Sequence, residues 1–159
     1  NVPFYPSSVA KVSAVEPADA GWKIAADRLA AATVPVERAG LDGQSLPFPD
    51  NTFDTALSTF TLCTIPDAAA ALQEVRRVLK PGGTFHFAEH GSAPDAPVRA
   101  WQRRLNPIQR RIAGGCHLDR EIVRLVTDAG FETRELDVFY LDGSPKAMGA
   151  MTLGVATRA

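Results

Sequence analysis

The sequence is short of cysteine, of long apolar runs and of net charge, and each scarcity excludes a class of protein. Its 159 residues include only two cysteines, Cys63 and Cys116, which cannot make a disulfide framework, so a cytoplasmic, reducing location is expected. No apolar run approaches the ~20 residues of a transmembrane helix, so no integral membrane segment is expected. A net charge of -1 gives no electrostatic reason to expect nucleic acid as a partner.

Strand-like and helix-like segments alternate along most of the chain. Strands are predicted at 11–16, 34–38, 55–61, 84–89, 132–141 and 150–157, and helices at 18–32, 68–79, 101–112 and 120–129. A loop is predicted for 41–51, a sharp end of the second helix at Lys80-Pro81-Gly82-Gly83, and an interruption of the third helix at Asn106-Pro107. The alternation predicts a single domain over 1–159 with an α/β, Rossmann-like three-layer sandwich, a mostly parallel sheet and antiparallel final strands.

Acidic and aromatic residues stand where the predicted strands end. Ligands of open parallel sheets bind beyond the carboxyl ends of the strands. There Glu16 can accept hydrogen bonds from ribose hydroxyls, Asp42 from an exocyclic amine, and Phe60 can lie against a base. The backbone N–H of Gly43 can bond a ring nitrogen. The alternative for Glu16 by itself is a solvated loop residue, but together these positions predict a nucleoside site.

Three motifs carry a resemblance to a known family. They are, in chain order, Leu46-Pro47-Phe48-Pro49-Asp50, Phe53-Asp54 and the run Glu74 to Gly83, EVRRVLKPGG. At this order and spacing the sequence resembles class I S-adenosylmethionine-dependent methyltransferases, most closely the ubiquinone-biosynthesis type. Further segments resemble the methyltransferase-like thiol S-methyltransferases and their bacterial relatives: Val15-Glu16-Pro17, Thr61-Leu62-Cys63, Glu89-His90, Trp101-Gln102, Gly115-Cys116 and Leu118-Asp119-Arg120-Glu121.

The resemblance implies S-adenosyl-L-methionine as cofactor and a small-molecule acceptor, either a thiol or another lipophilic compound. The implied cofactor-binding residues are Glu16, Pro17, Asp42, Gly43, Gln44, Thr59, Phe60 and Thr61. The segment Val98 to Asp119 would cover the acceptor. The candidate acceptor-binding residues are Cys63, His90, Trp101, Cys116, His117 and Tyr140.

His90 is the candidate catalytic residue, as a base, an orienting group or a substrate contact. The alternative is a loop histidine that bonds the backbone. Cys63 is expected to pack near the pocket, and nothing marks it as a nucleophile. The Cys-His-x-Asp run at Cys116, His117 and Asp119 has a poor spacing for one closed metal site, so no metal is expected.

The predicted third helix carries arginines opposite an apolar stripe. The stripe is Trp101, Leu105, Ile108 and Ile112, and the arginines are Arg99, Arg103, Arg104, Arg110 and Arg111. A solvated basic face is the favoured interpretation, and contact with an anionic substrate or a membrane surface is the alternative. Trp101 is expected in the core, with the lining of an apolar acceptor site as the alternative.

The sequence departs from the family at its beginning, because no Gly-x-Gly-x-Gly loop precedes the first predicted strand. The family's first strand lies between the strands that here begin at Lys11 and Thr55, so two strand edges are expected to lack partners. A domain incomplete at its N-terminus, strand pairing or swapping in a homodimer, and a truncated non-catalytic protein that associates through these edges remain open. The chain by itself is expected to bind the cofactor poorly.

A nicotinamide-dependent dehydrogenase is the remaining alternative, since Glu16 would suit a ribose there as well. The absence of a glycine-rich fingerprint and the Leu46 to Phe53 segment both favour the methyltransferase.

Overall fold

The structure, a computed structural model, describes residues 1–40 and 42–159. These residues form two units, Asn1–Pro47 and Phe48–Ala159. Leu41, the first residue of the loop predicted for 41–51, lies outside the described residues.

The first unit contains a parallel pair of strands and one helix. After a 3-10 turn at Val2–Phe4, the elements are β1 (Val12–Val15), α1 (Asp19–Ala30) and β2 (Val36–Gly40). The two strands pair in parallel from Val12 opposite Val36 to Val15 opposite Gly40. An ion pair of 2.7 Å between Arg38 and Asp19 ties β2 to the start of α1. The two predicted strands and the helix between them are therefore present, with bounds shifted by one or two residues.

The second unit is built on a four-stranded sheet in the order β3-β4-β6-β5. Its elements are β3 (Phe53–Thr59), α2 (Ala68–Val78), β4 (Leu79–His90), α3 (Ala96–Ile112), α4 (Ile122–Asp128), β5 (Phe131–Tyr140) and β6 (Ala150–Arg158). Strands β3 and β4 are parallel, whereas β6 runs antiparallel to both β4 and β5. The antiparallel final strands predicted from the sequence are confirmed.

The core of the second unit lies between this sheet and the helices α2 and α4. Phe85 and Phe87 of β4 are buried, with ring centroids 5.5 Å apart, and Phe85 also lies 5.4 Å from Phe131 of β5. Leu72 of α2 and Val126 of α4 pack against them and are fully buried. Each such side chain contributes roughly 1.5–3 kcal/mol by leaving water, so this cluster holds the helices on the sheet.

The predicted end of the second helix at Lys80 to Gly83 is confirmed, since α2 ends at Val78. The next strand begins earlier than predicted, and the predicted interruption of the third helix is absent, so these two predictions were wrong. Strand β4 begins at Leu79 rather than at Thr84, because the segment Lys80 to Gly83 bulges outward between the pairs Phe53–Leu79 and Thr55–Thr84. Gly82 has a φ of 76° in this bulge, which glycine adopts at little cost.

Helix α3 runs on through Pro107. Proline removes one backbone hydrogen bond there. The neighbouring Asn106 side chain compensates, because it accepts from the N–H of Leu118 at 3.0 Å and donates to Asp119 at 2.7 Å.

Strands β1 and β3 are edge strands among the described residues. β1 pairs with β2 alone, and β3 pairs with β4 alone. This is the pairing expected when no strand lies between the first and third predicted strands. None of the helices in the described part of the chain is long and apolar enough to span a bilayer.

Candidate functional site

In the first unit, two carboxyl groups follow the parallel strands at the same edge. Glu16 comes directly after β1, and its Oε1 accepts a 2.7 Å hydrogen bond from the N–H of Ala18 at the start of α1. Asp42 follows β2, and its Oδ1 accepts from the backbone N–H of Gln44 at 2.9 Å and from the side-chain amide at 3.1 Å. These hydrogen bonds lower the pKa of Asp42. This edge therefore offers fixed acceptors for hydroxyl and amine donors.

The remaining predicted cofactor residues of this unit flank those carboxyl groups. Pro17 uses its carbonyl to accept from Arg38 at 3.3 Å. Gly43 and Gln44 form the turn that Asp42 closes.

In the second unit, an aromatic residue in an unusual conformation ends β3. Phe60 has a φ of 52°, which costs a residue with a side chain roughly 1–2 kcal/mol. Its N–H donates to the carbonyl of Ala88 at 3.0 Å, and its ring lies 4.9 Å from that of His90 at the end of β4. Phe60 is 46% exposed. Retained backbone strain beside an exposed aromatic ring is a typical mark of a binding site.

Glu89, which precedes His90, organises the loop that follows β3. This carboxylate is completely buried. Its Oε1 accepts from the Ser58 hydroxyl at 2.7 Å and from the N–H of Thr61 at 3.1 Å, while Oε2 accepts from the N–H of Cys63 at 3.2 Å. The Glu89 side chain therefore holds the loop after β3 in position through these hydrogen bonds.

Two further contacts hold the same loop from the other side. The N–H of His117 donates to the carbonyl of Cys63 at 2.7 Å. The Arg120 guanidinium donates to the carbonyls of Leu62, of Ile65 at 2.6 Å and of Pro66 at 3.1 Å. With Glu89, these bonds fix the backbone of residues 61–66 on both sides.

Cys63, His90 and Cys116 converge beside this loop. Their ligand-type atoms all lie within 4.8 Å of one another, and the Cys116 Sγ is 3.8 Å from His90 Nδ1. Both cysteines are buried and free. Burial above all, with the charge of Glu89, raises the pKa of Cys63 to about 12, and burial lowers the pKa of His90. At neutral pH the imidazole is therefore neutral and the Cys63 thiol is protonated.

The other two candidate acceptor residues have different surroundings. His117 lines an open depression with Thr64, Pro107 and Arg110. Burial and the positive charges of Arg120 and Arg110 lower its pKa. The Tyr140 hydroxyl donates to Asp95, just before α3, at 2.7 Å, so it is already engaged within the protein.

Helix α3 is attached by polar side chains, while three of the four residues of its apolar stripe are exposed and Leu105 is half-buried. Gln102 is buried, accepting from the N–H of Ala93 at 2.9 Å and donating to the carbonyls of Gly91 and Ala147 at 3.0 and 3.2 Å. The stripe residues Trp101, Ile108 and Ile112 are exposed by 57%, 60% and 74%. The expectation that Trp101 lies in the core was wrong, because Gln102 and Asn106 supply the inner face. Gln102 and Asn106 are four residues apart and therefore share one face of the helix, which could have indicated a polar inner face. Arg120, which follows α3, is a third polar residue that the sequence prediction missed.

Comparison with known proteins gives the family of the chain. The family model described as "Methyltransferase domain" matches residues 2–87, more than half of the chain. The chain belongs to this family of methyltransferase domains.

Curated relatives of the chain are named methyltransferases. Thiol S-methyltransferase TMT1B of Rattus norvegicus is 40% identical over 55% of this chain and 36% of its own length. Demethylmenaquinone methyltransferase of Corynebacterium kroppenstedtii is 51% identical over 36% of this chain and 24% of its own length. The chain thus spans only about a third or less of the length of these relatives.

Solved structures share the fold. A SAM-dependent methyltransferase from Methanosarcina mazei superposes with a TM-score of 0.70 at 20% identity, covering 93% of this chain and 82% of its own. The Rossmann-like α/β fold predicted from the sequence is confirmed.

Proposed function

We propose that the protein uses S-adenosyl-L-methionine to methylate a small lipophilic thiol. The choice of a thiol as methyl acceptor rests on the bases that lie at the ends of β3 and β4. Glu89 is saturated by hydrogen bonds from three donors. The remaining titratable base there is His90, whose lowered pKa makes it a weak one.

The strength of the base decides which acceptors are suitable. A thiol has a pKa near ~8.5, so it is partly ionised at neutral pH and no strong base has to take its proton. An alcohol stays protonated at neutral pH and would need a strong base. The lack of a strong base beside Phe60 among the described residues therefore favours a thiol, and the relatives named thiol S-methyltransferases support the same acceptor class.

The described residues fit the nucleoside part of the cofactor. We assign the ribose hydroxyls to Glu16 and the adenine amine to Asp42, whose carboxyl groups follow parallel strands at one edge. In the second unit, taken by itself, we assign the exposed ring of Phe60 to stacking on an aromatic part of the cofactor. S-adenosyl-L-methionine supplies a methyl group on a positively charged sulfur, which a thiolate can displace. The task of the protein is then to orient the acceptor and exclude water.

The open face of α3 supports a lipophilic acceptor. Trp101 and Ile108 lie about two helical turns apart and Ile112 about one turn further along the same stripe, and the basic side chains of Arg104 and Arg111 are nearby in sequence. The Arg104 guanidinium lies 5.5 Å from the Trp101 ring centroid. An alkyl or aryl thiol would bury this stripe as it binds, at about 25 cal/mol per Å².

The test compares matched acceptors. The protein is incubated with the cofactor and with an alkyl thiol, or with the alcohol or amine of the same carbon skeleton. Formation of S-adenosylhomocysteine and the methylated product is followed by mass spectrometry. The proposal predicts the thioether alone, with a rate that grows with alkyl length. Transfer to the alcohol or amine at an equal rate, or to no thiol at all, would refute the acceptor class.

A lipophilic quinone is the second candidate, favoured by the identity to a demethylmenaquinone methyltransferase. A demethylated quinol included in the same assay separates the two, because methylation there forms a carbon–carbon bond and leaves every thiol unchanged.

A further inference from the structure

Three soft metal ligands come together in the second unit from three separate segments. Cys63 lies in the loop after β3, His90 ends β4, and Cys116 lies in the loop between α3 and α4. One ligand atom from each falls within 4.8 Å of the other two. Around a tetrahedral Zn²⁺ with bonds of about 2.0–2.3 Å, ligand atoms stand roughly 3.5–3.8 Å apart. The 3.8 Å between Cys116 Sγ and His90 Nδ1 already matches that spacing.

We propose that Cys63, His90 and Cys116 form a Zn²⁺ site whose fourth position receives the sulfur of the acceptor. The second half of this statement rests on the proposed thiol methylation, but the metal site stands on its own geometry. Two thiolates and one imidazole are a ligand set that zinc prefers, and three protein ligands leave one position open, as in catalytic zinc sites.

The backbone around the ligands is held in place before any metal binds. The N–H of Cys63 donates to Glu89 and its carbonyl accepts from His117. His90 lies within the β4–β6 ladder, opposite Met151. Outer contacts of this kind orient metal ligands and raise affinity. The buried Glu89 carboxylate also places a negative charge beside the site, which favours a cation.

The degrees of burial suggest where the acceptor enters. Cys63 and Cys116 are 1% and 6% exposed, whereas His90 is half-buried and its ring meets the exposed Phe60. The open position is therefore placed on the His90 side, next to the aromatic ring assigned to the cofactor.

Zinc would change the chemistry of the acceptor in a defined way. On coordination the thiol releases its proton to solvent and remains as a thiolate, because a bound thiol is deprotonated by the metal. The thiolate sulfur then forms a bond to the methyl carbon while the bond from that carbon to the sulfonium sulfur breaks. The electron pair stays on S-adenosylhomocysteine, and the thioether, a weaker ligand, leaves the metal.

The site is tested first by metal binding, which needs neither cofactor nor acceptor. The protein is purified under reducing conditions, stripped with a chelator, and titrated with Zn²⁺ against a chromophoric competitor. One Zn²⁺ per chain is expected. Co²⁺ in its place should give a thiolate-to-metal charge-transfer band, measured on the unaltered protein so that no variant has to fold. A chain that binds no metal, or that forms a Cys63–Cys116 disulfide under these conditions, would overturn the site.

Variants then assign the ligands. Cys63→Ser, His90→Gln and Cys116→Ser are each expected to weaken Zn²⁺ binding by more than the ~10–100-fold that loss of an outer contact causes. His86→Gln is the matched control, a histidine in the same strand as His90 that the cluster does not include. Equal affinity in the His90 and His86 variants would remove His90 as a ligand.

A separate experiment tests whether the sulfur of the acceptor binds the metal ion. An alkyl thiol should alter the Co²⁺ charge-transfer band, and the matching alcohol should not. Thiol methylation that persists undiminished in the metal-free protein would refute the zinc role and leave the proposed function intact. A zinc-loaded protein that methylates no thiol would refute the proposed function and leave the metal site intact.

Discussion

Replacing Glu89 by glutamine should destabilise the protein far more than the loss of one charge at the surface. The carboxylate is completely buried and accepts from Ser58 Oγ, Thr61 N and Cys63 N. In Glu89→Gln the amide oxygen can keep the first two bonds, but the new NH₂ group then faces the N–H of Cys63. Two buried donors lose their acceptor, at about 1–3 kcal/mol each. The expected loss is about 2–5 kcal/mol.

The measurement is urea denaturation with a chelator present, so that metal binding does not contribute to the result. For a chain of this size, m is about 1–3 kcal/mol per M, so a loss of about 3 kcal/mol lowers the midpoint by about 1–3 M. Glu132→Gln is the matched control, since its ion pair of 3.0 Å with Arg134 joins two side chains that are each 59% exposed. The control should change stability by no more than about 0.5 kcal/mol. If the two variants unfold at the same midpoint, Glu89 does not organise the loop.

Three further predictions follow from single residues. Gln102→Leu removes a buried amide from three backbone partners and should cost about 2–4 kcal/mol in thermal or urea unfolding, whereas Trp101→Ser, at the exposed neighbouring position, should cost less than about 1 kcal/mol. Burial raises the pKa of Tyr5 and Tyr140 from 10.0, so the folded protein keeps phenol protons that the unfolded chain releases. The free energy of unfolding should therefore fall as the pH rises above 10. Phenolate absorbance of these two tyrosines near pH 10 in the folded protein would contradict this. Phe60→Gly relieves the positive φ and should leave the free energy of unfolding within about 1 kcal/mol of its original value. S-adenosylhomocysteine binding, measured by calorimetry, should weaken about 10–100-fold because the stacking is lost. Unchanged binding would remove Phe60 from the cofactor site.

The order of the elements could be predicted because the signals for it are local. The apolar spacing of α2 and the β-branched run of β1 are properties of short windows of sequence. Two of the three wrong predictions arose where distant contacts outweigh a local helix-breaking or strand-breaking residue. Pro107 is held inside α3 by bonds from Asn106 to another loop, and the turn at Gly82 is absorbed as a bulge in β4.

The site could be predicted only in part, for a related reason. Glu16 and Asp42 were predicted to share one edge because each follows a predicted parallel strand, and the first unit does pair those two strands. Their role in cofactor binding, like that of Phe60 in the second unit, stays a prediction. Cys63, His90 and Cys116 were predicted to line one acceptor site, but their approach to within 4.8 Å of one another could not be predicted, because they come from three segments and no motif spacing joins them. The hydrogen bond from the His117 N–H to the Cys63 carbonyl helps to bring Cys63 towards Cys116.

Helix α3 links the way the chain folds to what it is proposed to do. A helix that packed through Trp101, Ile108 and Ile112 would have buried its apolar stripe and left no lipophilic surface. Gln102 and Asn106 attach it instead by directional hydrogen bonds, which fix its position with little apolar contact. The same bonds hold the loop that carries Cys116, because Asn106 binds Leu118 two residues further on. The polar inner face therefore both positions a proposed zinc ligand and leaves the apolar face free for an acceptor, so loss of Asn106 should affect metal affinity and acceptor preference together.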